Sequence, residues 1–228
     1  MEILGLEKVS LVDYEGYICA TVFTGGCNFL CPFCHNPEIV KHEVSKLDSK
    51  EVLNYIESRK GLLDAVTISG GEPTLQPDLE DFIRAVKGMG LKVKLDTNGT
   101  RPEVLKNLID KKLLDYVAMD IKNSFNNYSL ITGVKNPQVD KIKESLRILE
   151  TSSVPYELRT TLVNEFHSES DIKSLAEDLK GAKTLYLQKF VDSGYTIQGG
   201  LTEIKKSKVL EFKNILSQTI KNVHLRGY

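Results

Sequence analysis

Several features that commonly announce a function are missing from this chain of 228 residues. No apolar run reaches the length of a membrane span. The net charge is −1, so there is no bulk attraction to nucleic acid or to an anionic membrane, and neither is expected as a partner. No Pro- or Ser-rich linker, low-complexity tract or internal repeat divides the chain, and a single domain over residues 1–228 is expected. The N-terminal stretch MEILGLEKVSLVDYEG is acidic and interrupted by charge, which does not read as a signal peptide. A cytoplasmic location is expected, and there clustered cysteines are metal ligands or catalysts more often than disulfides. Only four histidines are present, and no His–Asp or Ser–His set stands out for general-base or nucleophilic chemistry.

What is present is an alternation. Short runs rich in β-branched residues lie at 18–23, 65–69, 93–97, 116–122, 156–163 and 185–191. Helical spacing fills roughly 48–60, 78–89, 102–113, 137–151, 168–180 and 203–220, and NVHLRGY is a possible final strand. Asp48, with Glu51 three residues on, suits a helix cap. Strands alternating with helices of this length predict βαβ units and a parallel sheet. Five of the strands end in polar residues: Ser69-Gly70-Gly71-Glu72, Asp96-Thr97-Asn98-Gly99, Asp120 with Lys122, Arg159-Thr160 and Gln188-Lys189. In such sheets ligands bind at the carboxyl ends of the strands, so one shared site is expected there.

Three of the four cysteines fall within GGCNFLCPFCHNPE, residues 25–38, with the spacing C-x3-C-x2-C. Gly25, Gly26 and Pro32 suit a tight loop wrapped around something. Zinc is one candidate, but a structural zinc site wants four ligands, usually as two separated pairs. His35 would have to coordinate beside its neighbour Cys34, which fits poorly; it reads as a loop or packing residue. Cys19, among apolar residues, reads as a small buried hydrophobe. Three thiolates also suit a cubane iron–sulfur cluster. Such clusters normally take four cysteines, so Cys27, Cys31 and Cys34 alone would leave one iron open to a substrate.

At this point the chain resembles the radical S-adenosylmethionine (SAM) enzymes. Their signature is this cysteine spacing after a first strand, with an aromatic residue before the third cysteine, here Phe33. The resemblance covers about residues 15–195. It implies a partial (β/α)6 barrel of the radical SAM type, with parallel strands and one open side. It also implies a 4Fe–4S cluster on the three cysteines, with SAM bound to the free iron. SGGEP at 69–73 matches the turn that meets the SAM amino group, implicating Gly70, Gly71 and Glu72.

DTNG at 96–99 and DIK at 120–122 narrow the resemblance to the activating enzymes of glycyl-radical proteins, typified by the pyruvate formate-lyase activase. There the matching residues imply a monovalent cation, with potassium first, beside Asp96, Thr97 and Asp120. Lys122 would contact the SAM carboxylate, with Asn98 and Arg159 among the cofactor-binding residues. Where the formate-lyase type has a histidine near SAM, LYLQKF offers Gln188, which points to a neighbouring subgroup. HNPE and the compact length look similar to the activating proteins of anaerobic ribonucleotide reductase. No cysteine follows Cys34, so auxiliary clusters are excluded.

The implied mechanism starts with a one-electron donor such as flavodoxin or ferredoxin. Reduction of the cluster splits SAM into methionine and a 5′-deoxyadenosyl radical, which takes a hydrogen atom from the partner. Two other readings stay open: a radical SAM enzyme acting on a small molecule, like the deazaguanine-forming synthases, and a zinc-holding binding module. Lys205, Lys206 and Lys208 in the C-terminal segment 201–228 read as a solvated helix face or a docking segment.

Overall fold

A computed structural model describes every residue of the chain except Ser193. Eight strands form one sheet in chain order. Strand β1 (Ile3–Ser10) runs antiparallel to β2 (Cys19–Thr24). After β2 come β3 (Ala65–Gly70), β4 (Lys92–Thr97), β5 (Tyr116–Asp120), β6 (Tyr156–Leu162), β7 (Thr184–Lys189) and β8 (Asn222–Arg226), each parallel to the one before. The helices are α1 (Pro37–Val40), α2 (Ser49–Ser58), α3 (Leu79–Gly88), α4 (Pro102–Asp110), α5 (Tyr128–Thr132), α6 (Val139–Thr151), α7 (Glu169–Asp178) and α8 (Lys206–Leu216). A parallel sheet laid down in strict order never reverses direction. Right-handed crossovers therefore put its helices on one face, and the sheet curls into part of a barrel. Among the described residues β8 does not pair with β1, so the barrel stays open.

The expected partial α/β barrel is present: β2 to β7 are its six parallel strands, and among the described residues β1 and β8 extend the sheet to eight. NVHLRGY does form the last strand, β8. The segment ILGLEKVS forms β1, which no apolar run announces: it lies at the sheet edge with Glu7, Lys8 and Val9 exposed. The expected helix at 203–220 is shorter, Lys206–Leu216. Asp48 caps α2 by accepting from the backbone of Lys50 and Glu51, at 2.7 and 3.2 Å.

The two faces of the sheet differ sharply. Val66, Ile68, Val93, Leu95, Val117, Met119, Leu158, Leu185 and Leu187 are fully buried. They form the core together with Ile83, Val86, Leu105, Leu108, Ile142, Leu149, Ile172, Leu175 and Phe212 of the helices. The alternate positions face the barrel interior and are polar: Thr67, Lys94, Asp96, Asp120, Glu157 and Arg159. The connection between β1 and β2 closes the barrel floor. There Tyr14 packs with Cys19 and Ala65, its ring 5.5 Å from that of Tyr116. Asp13 accepts from Thr21 through its carboxylate at 2.6 Å and from Lys94 through its carbonyl.

Above the floor, Glu157 accepts both arms of Arg226, at 3.0 and 3.1 Å. Arg226 also stacks on Tyr186, 3.9 Å from the ring centre. Glu157 is only 3% exposed, so removing its partner strands a buried charge. Arg226→Met is expected to lower stability in urea denaturation by roughly 3 kcal/mol. Adding Glu157→Gln should recover part of that loss; a double variant no more stable than the single one would show that the pair does not matter.

Candidate active site

The cysteine loop is held by the turn after β3. Thr24 and Gly70 are register partners at the ends of β2 and β3, which brings the two loops together. Gly71 donates its N–H to the Thr24 carbonyl at 2.9 Å, and Glu72 donates its N–H to the Gly26 carbonyl at 2.8 Å. A Cβ on Gly71 would lie 1.7 Å from the Gly26 oxygen. One on Gly70, at φ +114°, would lie 2.4 Å from the Thr24 nitrogen. Both glycines are therefore required by close backbone approach.

Glu72 is fully buried. Its Oε1 accepts from the Thr74 N–H at 3.1 Å, from the Thr74 hydroxyl, and from the Thr97 hydroxyl at 2.7 Å. Its Oε2 accepts from the Asn98 N–H at 2.6 Å. Burial pushes its pKa up against the pull of these donors. Glu72 thus ties the end of β4 to the turn after β3, and the backbone of Gly70 and Gly71 is the part of SGGE left to meet a ligand.

A row of alternating charges crosses the strand ends. Lys94 Nζ lies 3.5 Å from Asp96. Arg159 bridges Asp96 at 3.0 Å and Asp120 at 2.8 Å, and Lys122 holds Asp120 at 2.9 Å. The cationic neighbours Arg159 and Lys122 hold the Asp120 carboxyl well below the usual range despite its desolvation. Asp120 in turn keeps both cations firmly protonated. In the cleft, Arg159 and Lys122 balance Asp96 and Asp120, while Lys94 lies deeper and lines a second pocket at the barrel floor; the two cations can meet an anionic ligand group and the two carboxylates a cationic one. Asp96 Oδ1 is buried without a hydrogen-bond partner.

Two residues that the sequence reading missed fix Lys122. Its N–H donates to the Tyr128 hydroxyl oxygen at 3.0 Å. Its carbonyl lies 3.0 Å from His167 Nε2. The Val163 N–H donates to Nδ1 of the same ring at 3.1 Å, so the ring proton sits on Nε2 and donates to Lys122. Burial lowers the His167 pKa, consistent with this neutral form. Neither residue carries a local sequence signal. Lys94 did carry one: it stands two residues before Asp96 on one strand, hence on the same face.

These elements enclose a cleft with about 850 Å³ of empty space, part of it open to solvent. Cys27, Cys31, Cys34, Phe33, Gly70, Gly71, Glu72, Asp96, Thr97, Asn98, Asp120, Lys122 and Arg159 all line it. Gln188, by contrast, sits beside Thr161 in the β6–β7 register and is not part of the lining. His35 also lines the cleft, and its ring stacks on Phe190 with ring centres 5.5 Å apart. Cys19 is buried at the barrel floor, outside the lining, and accepts from the Thr67 hydroxyl.

Three thiols on one cleft wall suit a thiolate-held group. Among the described residues no group of three Cys, His, Asp or Glu side chains is placed to hold a single metal ion. A cluster larger than one ion fits the donor set better. Burial pushes the Cys27 thiol up to about 12 and Cys31 to about 11, so ligation has to displace their protons.

Residues 21–179 match the model of the radical SAM superfamily. The chain belongs to that superfamily: it is an enzyme whose cofactors are a 4Fe–4S cluster and SAM. A Methanocaldococcus jannaschii protein provisionally named a glycyl-radical enzyme activating enzyme is 34% identical over 228 residues, covering 97% of this chain and 94% of that one. The pyruvate formate-lyase-activating enzyme of Clostridium pasteurianum is 31% identical over 192 residues, 79% of this chain and 76% of that one. Among solved structures, a radical SAM methyltransferase from Sphaerobacter thermophilus superposes with a TM-score of 0.68 at 16% identity, over 91% of this chain and 66% of that one. Streptococcus suis SuiB bound to S-adenosylmethionine does so at 0.67 and 15%, over 89% of this chain and 48% of that one. At these identities the structural likeness shows the fold.

The Gly71 contact yields a direct test. Gly71→Ala should displace the cysteine loop and cut iron and sulfide per chain to a small fraction after anaerobic reconstitution. Gly199→Ala, whose Cβ would meet nothing within 4 Å, should load fully. Equal loading of the two variants would contradict the role given to Gly71.

Proposed function

We propose that this chain is a glycyl-radical activating enzyme. It places a radical on a backbone glycine of a partner enzyme, with anaerobic ribonucleotide reductase the first candidate and a formate-lyase-type enzyme the second. The observation that carries this reading is the joining of three lone thiols, the SGGE turn and the ion-paired row Asp96, Arg159, Asp120 and Lys122 in one cleft. Support comes from the similarity to the two activating-enzyme relatives over most of their lengths. The open side between β1 and β8 gives a large protein substrate room to approach.

Cys27, Cys31 and Cys34 would hold the cluster. Lys122, at one end of the charge row, would receive the SAM carboxylate, and the Gly70-Gly71 backbone the amino group. When bound, the two cofactors supply a radical able to take a hydrogen atom from glycine. The protein's share is orientation and exclusion of water. Glycine suits the product because its Cα radical can lie flat between two amides, and its backbone freedom lets a loop enter the cleft. Flavodoxin or ferredoxin is the proposed electron donor. Low-temperature electron paramagnetic resonance (EPR) on the reduced protein, SAM and partner should show the doublet from the remaining α-hydrogen. Absence of the doublet with both partner classes, together with ready 5′-deoxyadenosine formation on a pterin-like small molecule, would favour the small-molecule reading. Cys27→Ala, Cys31→Ala or Cys34→Ala should each abolish SAM cleavage, whereas Cys19→Ala should leave it largely intact.

A monovalent cation, potassium first, is proposed beside Asp96, Thr97 and Asp120. Asp96 Oδ1 supports it: the oxygen is buried, accepts no hydrogen bond and has only the Lys94 ammonium 3.5 Å away. The Thr97 hydroxyl is already committed to Glu72, and Arg159 already spans the two carboxylates, so a cation would share them with arginine. SAM cleavage should then fall when potassium is replaced by a bulky organic cation, and Asp120→Asn should blunt that dependence. Unchanged activity after the swap would remove the cation from the proposal.

A further inference from the structure

Asn98 lines the cleft as part of DTNG, where the family resemblance points it toward SAM. Its side chain is engaged elsewhere. Oδ1 accepts from the Thr100 N–H at 3.0 Å and from the Thr100 hydroxyl at 2.7 Å. A backbone N–H can only be met by an acceptor, so the amide orientation is fixed and Nδ2 must face the other way. There it donates to Asn28 Oδ1 at 2.8 Å and lies 3.9 Å from Cys27 Sγ. The Asn98 backbone N–H is held by buried Glu72. Cys27 Sγ also accepts the Phe29 N–H at 3.4 Å. No other side-chain donor among the described residues is within hydrogen-bond distance of the three sulfurs. The environment of the three ligands is therefore uneven, with Cys27 singled out.

We propose that Asn98 is a positioning residue for the cluster ligand Cys27, which donates a hydrogen bond to the thiolate and raises the reduction potential of the cluster. An N–H donor draws charge off a ligating sulfur. The electron-richer reduced state gains more from this than the oxidised state, so reduction becomes easier. The tie to Glu72 gives the effect a structural origin: the residue that joins the turn after β3 to the end of β4 also aims the amide at the sulfur. The inference rests on the cluster assignment alone and holds whatever the partner protein is.

The test is an anaerobic redox titration of the reconstituted holoprotein, following the EPR signal of the reduced cluster. Asn98→Leu should have a midpoint potential below the parent's. Thr100→Val removes a hydroxyl from the same network but leaves the Nδ2–Sγ contact, and should keep the parent's potential. Equal potentials in all three proteins overturn the proposal. Equal shifts in both variants overturn it too, because they would mark a merely structural role. If Asn98→Leu does not load, Asn98→Asp replaces it: it is isosteric and keeps the acceptor for Thr100 but removes the donor. A potential for Asn98→Asp at or above the parent's overturns the proposal. A second readout is the Fe–S(Cys) stretching band in resonance Raman spectra. Exchange into deuterated water should move it in the parent and move it less in the variant; identical isotope shifts also overturn the proposal.

Discussion

The structure depends on the close backbone contact between the turn after β3 and the loop after β2. Without side chains at Gly70 and Gly71 the two segments meet at hydrogen-bond distance. That contact fixes where the cysteine loop begins. Glu72, the next residue, then anchors the turn to the end of β4 with a buried carboxylate. Three strand ends are thereby locked through backbone groups and one side chain. The arrangement is stiff because each donor has its partner and none is shared with solvent. A loop proposed to hold three sulfurs around a preformed inorganic group needs such stiffness, since ligands displaced by an ångström bind poorly.

The inside of the barrel is costly by ordinary folding criteria. Lys94, Asp96, Asp120, Lys122 and Arg159 are all mostly removed from water, and apolar residues of similar volume would often be at least as stable there. The charges are tolerated because each has an opposite neighbour. Four of them, Asp96, Asp120, Lys122 and Arg159, line the cleft with the thiols, which suits a ligand with charged ends. The division of labour follows from strand alternation. The helix-facing positions carry the hydrophobic core, so the interior positions are free to carry chemistry.

Much of this was legible in the sequence. The cysteine spacing, SGGEP, DTNG and DIK all converge on one cleft, because strand ends in a parallel sheet are brought together by topology alone. The alternation of runs gave the parallel architecture, with boundaries off by a few residues. Strand β1 escaped notice because an edge strand can carry charges where a central one cannot. Tyr128 and His167 escaped because they act on the Lys122 backbone from distant loops, and hydrogen bonds between distant segments leave no local pattern. The bridging of Asp96 and Asp120 by Arg159 was also hidden. Each residue stands at a strand end, but their mutual pairing depends on register, which spacing within one segment does not specify.

An open barrel leaves two unpaired strand edges, and exposed edges invite aggregation. Here both are managed. Strand β1 is broken by register shifts near Gly5 and after Glu7, bears charged Glu7 and Lys8, and bridges to Leu47 at its start. Strand β8 is five residues long and its Arg226 is drawn inward by Glu157. These features discourage indiscriminate pairing without closing the gap. A closed barrel would bury the same core and lose both edges, so stability alone does not favour the opening. The gap has a use if something larger than SAM must reach the thiol wall of the cleft, and a loop of another folded protein meets that description better than a free metabolite.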